Sequence, residues 1–305
     1  MKKNVAVVGC GHWGKNLVRN FSDLGALASI CDPNIELAKE YANKYKVNNC
    51  TFKEIINDED INGVVLAVPA PLHASMAIEA MQAKKHVYVE KPLAMNHSEA
   101  EEMISSAETN KVKMMVGHLL QYHPVFVTLL SVVRSGGIGN LRYLYSNRLS
   151  FGKVRSEEDV IWSFAPHDIS MILSLVGEEP TTINVVSANL LNQQISDTAT
   201  IHMEFNMGLK SHISVSWLHP YKEQKLVVVG DSGMAVFDDT KTWDEKLAFY
   251  RHTVDLLDGE FPELKNAEVE YYNVPFSEPL RNECKHFLDV VNGDLTPLTD
   301  GLEGM

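Results

Sequence analysis

Three short segments of this 305-residue chain carry side chains that could do chemistry. Gly9-Cys10-Gly11-His12-Trp13-Gly14 directly follows a short apolar run and opens a helical pattern. Glycines at that spacing allow a tight turn and close backbone approach, and a helix N-terminus offers amide donors to a pyrophosphate. Asp32 comes eighteen residues after Gly14, at the end of the next apolar run. A carboxylate there accepts hydrogen bonds from adenosine ribose hydroxyls and repels a 2′-phosphate, which favours NAD over NADP.

The second segment, Glu90-Lys91-Pro92, follows another apolar run. At the carboxyl edge of an open α/β sheet, Lys91 could hydrogen-bond a substrate hydroxyl, and burial beside a cationic nicotinamide would lower its pKa. A surface lysine in a turn explains the position equally well. The Lys91–Pro92 bond is a candidate cis peptide. The third segment, Trp162-Ser163-Phe164-Ala165-Pro166-His167-Asp168, opens a helical pattern. His167 titrates near neutrality and, with Asp168 beside it, could be a tuned general base. Helix capping by Ser163 or Asp168 with a structural histidine competes with that reading, and chemistry alone does not separate the two.

These residues need elements to position them. Residues 5–8, 28–31, 63–67, 86–89 and 113–116 read as strands, and 12–24, 35–45, 72–83 and 98–110 as helices. The last helix opens with a capping-box pattern, Ser98-x-x-Glu101. Strands that are apolar throughout, separated by helices, imply a doubly wound parallel sheet covered on both faces. After Pro124 the pattern changes to a helix over 124–134, a strand over 141–149, a helix over about 167–175, and strands over 182–188, 199–205, 209–218, 225–229 and 234–237. Asn206-Met207-Gly208 and Asp231-Ser232-Gly233 fall where hairpins turn, and Ala199, Ile201, Met203 and Phe205 alternate with polar residues. The expected fold class is therefore α/β: a doubly wound dinucleotide-binding domain over 1–122 and an α+β domain with a mainly antiparallel sheet over 123–305.

Composition narrows the partners. Lys and Arg number 27 against 40 Asp and Glu, a net charge of −13, which argues against nucleic acid. Residues 231–305 hold 17 of the acidic groups and only 6 basic ones, so the acidity lies away from the motifs. Arg142, Arg148, Lys153 and Arg155 could meet a diphosphate, or could be solvated surface charge. No stretch is apolar for long enough to span a bilayer, and the start lacks a signal-peptide core. Four cysteines form no CxxC pair or framework and read as reduced thiols, so a cytoplasmic location is expected. Twelve histidines include no HExxH or comparable pattern, so no metal is expected. His118 and Tyr122 lie where substrate could arrive, although hydrogen bonding at a domain junction would also account for His118.

Gly9, Gly11, Gly14, Asp32, Val68-Pro69 through His73, Glu90-Lys91-Pro92, Gly117-His118 and His167 together resemble the Gfo/Idh/MocA oxidoreductase family along nearly the whole chain. The resemblance implies a Rossmann domain, an open-sheet domain that makes homodimers or homotetramers, and hydride transfer between NAD and a sugar hydroxyl. It implies Lys91 and His167 as catalytic residues. Gly9, Gly11, His12, Trp13, Gly14, Asp32, Pro69, His73, Glu90 and Lys91 are then the expected cofactor contacts. Lys91, His118, Tyr122, Arg148, Trp162, Ser163, His167 and Asp168 are the expected substrate contacts. Ser163 stands where many members carry an Asp four residues before the His, so either His167 works with Asp168 or Lys91 does more of the proton transfer. Val68 replaces a common threonine, and the family's closing helix would be absent or cut short. The stretches 11–21 and 161–169 are similar to a subgroup that oxidises the 3-hydroxyl of UDP-N-acetylglucosamine-type sugars for polysaccharide and lipid A precursors. An inositol or free-sugar dehydrogenase and a non-catalytic sugar or NAD sensor are the alternatives.

Overall fold

All four residues of the first strand, β1 (Val5–Val8), are buried, and their side chains alternate between two packed faces, so the strand needs cover on both sides. A computed structural model of the chain describes residues 3–152, 154–155, 158–255 and 263–305. Cover comes from alternation: α1 (Gly14–Asp23), β2 (Leu27–Cys31), α2 (Ile35–Tyr45), β3 (Asn48–Asn49), α3 (Phe52–Asn57), β4 (Gly63–Leu66), α4 (His73–Gln82), β5 (His86–Glu90), α5 (His97–Asn110) and β6 (Met114–Gly117). The six strands form a parallel sheet in the order β3-β2-β1-β4-β5-β6, which reverses direction between β1 and β4. Gly9, Asp32, Pro69, Lys91 and His118 follow the carboxyl ends of β1, β2, β4, β5 and β6, along one edge.

Two local elements differ from the sequence expectation. β3 and α3 have no counterpart in the sequence pattern, because two asparagines and one and a half turns of helix are too short for a hydrophobic period. The α3 start is instead made by a capping box, with Thr51 N donating to Glu54 at 2.7 Å and Glu54 N to Thr51 Oγ1 at 3.3 Å. The Ser98/Glu101 box does not form. α5 begins earlier, capped by Asn96, whose side chain accepts from Glu99 N at 3.0 Å while the Glu99 carboxylate takes Met95 N.

The second domain expected over 123–305 ends at Ser277. The chain divides into one unit of Met1–Tyr122 with Glu278–Met305, and another of His123–Ser277. Within the second unit lie α6 (Pro124–Arg134), β7 (Leu141–Phe151), α7 (Val160–Val176), β8 (Thr182–Ala188), β9 (Thr198–Glu204), β10 (Lys210–Ser216), β11 (Leu218–Gly230), β12 (Met234–Asp238), β13 (Leu247–Tyr250), β14 (Thr253–Asp255), β15 (Glu263–Lys265) and β16 (Val269–Tyr271). The returning segment carries α8 (Pro279–Val291) and the single turn α9 (Gly301–Gly304). It returns because Val65, Tyr88 and Met115 on the sheet's second face still need burial. Phe287 of α8 meets Tyr88 edge-on at 5.7 Å and Phe21 at 6.2 Å, and burying such a ring contributes about 1.5–3 kcal/mol. A Cβ on Gly63 would lie 2.9 Å from Val291, so only glycine lets α8 approach β4 this closely.

In the second unit eight strands are ordered β16-β13-β12-β11-β7-β10-β9-β8, with β7 and β10 parallel and the other pairs antiparallel. Ala199, Ile201 and Met203 of β9 are buried as their alternation predicts. The opposite face carries a row across four strands, Tyr145–His212–His202–Asn184, in which Tyr145 and His212 stack at 5.3 Å. Among the described residues no helix is long and apolar enough to cross a membrane.

Asp239, just after β12, lies 2.6 Å from Lys246 Nζ and 3.5 Å from His123 Nε2. Burial alone would raise its pKa, but these two partners overcome that and bring it down to about 2. A folded value below the unfolded one of about 3.9 stabilises the protein above pH ~4, and that contribution is lost as pH falls from about 4 toward 2. Asp239→Asn is expected to lower the melting temperature at neutral pH and to flatten its decline across that acid window, as followed by circular dichroism.

Candidate active site

The loop after β1 is built by close contact. A Cβ on Gly9, whose φ is +95°, would sit 2.3 Å from Ala67 O, and one on Gly14 would sit 1.9 Å from Gly9 O. A Cβ on Gly11 would meet nothing within 4 Å, so the backbone there borders open space. No side chain caps α1, which leaves its N-terminal amides and dipole to an anionic group. Asp32 is held from behind: Oδ2 accepts Cys10 N at 2.7 Å and Oδ1 accepts Asn34 N at 2.8 Å, leaving each oxygen a second lone pair. Burial, with the Asp32 charge adding to it, pushes the Cys10 thiol up to about 12, so Cys10 is an inert wedge beneath the loop. An open amide surface, an uncapped helix start and a fixed carboxylate fit the pyrophosphate and ribose of NAD. His12 is exposed in the same loop.

Glu90 ties that loop to β5. Its Oε1 accepts Trp13 Nε1 at 2.5 Å and the Tyr88 hydroxyl at 3.1 Å, and its Oε2 accepts Lys91 N at 3.3 Å. Burial raises its pKa, and these donors only partly offset the rise. The Lys91–Pro92 bond is cis. His73 lies 1% exposed, with Nδ1 2.7 Å from Pro92 O and Nε2 3.0 Å from Val68 O. Both its nitrogens are thereby turned to backbone carbonyls. His73, expected to contact the cofactor, is instead buried and splints the loop that begins at Pro69 against the loop after β5.

Two expected substrate residues of this unit are also occupied. His118 Nδ1 is 2.7 Å from Glu303 Oε2, and the buried Tyr122 hydroxyl is 3.1 Å from Thr299 Oγ1. Both join β6 and the turn after it to the returning segment, where Thr299 also bonds Val116 along the strand. Sequence spacing could not show this, because the partners lie some 180 residues away.

In the second unit α7 starts at Val160 and not near His167, because Asp159 caps it by accepting from Ile161 N and Trp162 N. His167 is therefore inside the helix, and Ser163, four residues earlier, shares its face. Asp168 points about 100° away from it around the helix. Its carboxylate accepts Ser146 Oγ and Arg148 Nε, each at 2.5 Å, and it is 1% exposed. Asp168 thus neutralises Arg148, and the two largely buried groups are engaged with each other rather than standing exposed as the sequence suggested. The rest of the basic cluster is dispersed: Arg142 pairs with Asp231 at 3.3 Å and Arg155 with Glu158 at 2.6 Å, and Lys153 lies outside the described residues. Trp162 is 40% exposed.

Sequence reading missed Ser146 and Glu283. The recurrence of Leu280, Cys284, Phe287, Leu288 and Val291 at helical spacing was the available signal for α8 and its buried face. Asp168→Ala is expected to cost about 3–5 kcal/mol in a denaturant titration, because Arg148 would remain charged and largely buried. The double change Asp168→Leu with Arg148→Met should recover most of that loss.

The oxidoreductase family with an NAD-binding Rossmann fold, GFO_IDH_MocA, matches residues 3–118, and the GFO/IDH/MocA C-terminal domain matches residues 126–236. The chain is 26% identical to the UDP-N-acetylglucosamine 3-dehydrogenase of Acidithiobacillus ferrooxidans, over 98% of this chain and 91% of that protein. The solved structure of that enzyme, GnnA, superposes with a TM-score of 0.85, covering 99% of this chain and 92% of the other. The inositol 2-dehydrogenase of Salmonella typhimurium is 23% identical over 97% of this chain and 88% of its own length. The fold is shared with GenD2 from gentamicin A biosynthesis, solved in complex with NAD, at a TM-score of 0.82 and 19% identity over 99% of this chain and 90% of that one. With both family domains in order along the chain, and the glycine loop and Asp32 in place, this protein belongs to the Gfo/Idh/MocA family of NAD-binding oxidoreductases.

Proposed function

We propose that the protein oxidises a sugar hydroxyl with NAD in the cytoplasm, acting on the 3-hydroxyl of a UDP-N-acetylglucosamine-type nucleotide sugar for polysaccharide or lipid A precursors. The observation that carries this reading is Lys91 at the carboxyl end of β5, on the sheet edge that also holds the glycine loop and Asp32. Similarity to the UDP-N-acetylglucosamine 3-dehydrogenase over nearly the full length of both chains supports the substrate class. Asp32 accepts hydrogen bonds from the adenosine ribose, and the amides between Gly9 and Gly14 receive the pyrophosphate. NAD, when bound, supplies the two-electron acceptor. Lys91 Nζ orients the reacting hydroxyl and takes its proton as the carbon releases hydride, so the carbinol becomes a ketone. His167 is the acid–base partner. Because Asp168 is committed to Arg148, proton transfer rests mainly on Lys91.

The test is NADH formation with UDP-N-acetylglucosamine and its uronic acid. Lys91→Ala should retain NAD binding and lose about 10²–10⁴-fold in kcat, the usual contribution of a positioned acid–base group. Full turnover in that variant would remove Lys91 from catalysis. Similarity to inositol 2-dehydrogenase favours a second reading, a polyol or free-sugar dehydrogenase, which wins if inositol or glucose reduces NAD and neither nucleotide sugar does. NAD binding without turnover of any sugar would point to a sensor.

The open sheet of the second unit supports self-association into homodimers or homotetramers. Val186 of the edge strand β8 is 70% exposed, on the sheet face that also carries the row of Tyr145, His212, His202 and Asn184. Val186→Asp is expected to lower the mass measured by light scattering, whereas an unchanged mass would place any interface elsewhere.

A further inference from the structure

Beneath the Glu90 link lies a second carboxyl group that the proposed reaction does not use. Glu283 of α8 is 0% exposed, and neither of its oxygens has a hydrogen-bond partner of ordinary geometry. Leu280, Cys284 and Phe287 of its own helix are buried with it. The ionisable groups that face it are Tyr88 and Glu90 from β5, Tyr122 from the turn after β6, and Cys284. No cation is among them. Tyr88 is also fully buried, and the one proton of its hydroxyl goes to Glu90. Gly117 leaves room for the group: a Cβ there would lie 2.8 Å from the Tyr88 hydroxyl and 2.9 Å from Glu90 Oε2.

Two buried carboxylates that repel each other in a site of low dielectric do not both ionise, and the one with fewer donors keeps the proton. Glu90 has three donors, from Trp13, Tyr88 and the Lys91 amide, so the proton belongs on Glu283. Burial, with repulsion from Glu90 added, drives Glu283 well above the usual carboxylate range.

We propose that Glu283 is a positioning residue present as the neutral acid, which fixes the Tyr88 hydroxyl toward Glu90 and so holds Glu90 against Trp13 of the glycine loop. A neutral acid offers its proton to the Tyr88 oxygen, and Tyr88 passes its own to Glu90, giving a chain with one direction. The chain carries the packing of α8 to the cofactor loop and to the backbone of Lys91. It rests on NAD lying at that loop, not on which sugar is oxidised.

The experiment reads protonation and cofactor binding separately from turnover. In wild-type protein labelled with ¹³C at the glutamate carboxyls, one glutamate resonance is expected to stay in the protonated position at neutral pH and to vanish in Glu283→Gln. If every glutamate in wild type titrates in the ordinary acid range, Glu283 is ionised and the proposal falls. In calorimetry, Glu283→Ala is expected to bind NAD about tenfold more weakly, the cost of leaving a buried polar chain unsatisfied. Glu283→Gln, which still donates, should restore most of the affinity. Equal affinity in Glu283→Ala and wild type would remove the positioning role. If wild type binds NAD but turns over no sugar, the enzymatic reading fails while this one stands.

Discussion

The requirement that a parallel sheet be buried on both faces governs the first unit. β1, β4 and β5 alternate their side chains into two cores, one covered by α4 and α5 and the other by α1, α2 and α8. The same parallel order puts every strand's carboxyl end on one edge, so one constraint both stabilises the sheet and gathers the glycine loop, Asp32 and Lys91. It also explains the return of the chain at Glu278. Without Phe287 and Val291 over Tyr88 and Gly63, the second core would face water.

That return has an electrostatic consequence. A helix needed for its apolar face brings Glu283 next to Glu90, with no cation among the described groups that act on it. The residues that look chemical around it then divide into two kinds. Asp32 and Glu90 are oriented by backbone and indole donors, whereas His73, His118 and Tyr122 are taken up by contacts that join loops and the returning segment. In the second unit Asp168 looks like a partner for His167 but is paired with Arg148 of β7, because successive helix residues point in directions about 100° apart.

The legible parts of the sequence were those with a local physical signature. Apolar runs with glycine after the first and Asp after the second sufficed for five strands of the sheet, the helices α1, α2, α4 and α5, and the cofactor loop. Alternation in β9 and the glycine-containing turns at 206–208 and 231–233 located the antiparallel sheet. Elements of two to six residues such as β3 and α3 were too short for any period, and the start of α7 was hidden because Pro166 and His167 resemble a helix opening.

By itself, then, the sequence determined the two-part α/β architecture, the dinucleotide loop with its Asp32, and the placement of Lys91 after a strand, because each depends on neighbours within a few tens of residues. Tertiary structure decided which ionisable groups are free and which are spent. Arg148 with Asp168, His118 with Glu303, and Glu90 with Tyr88 and Trp13 pair through strand register and helix return, which carry no sequence-local signal. A buried charge must find its partner or its proton wherever the fold puts one, and only the packed chain shows where that is.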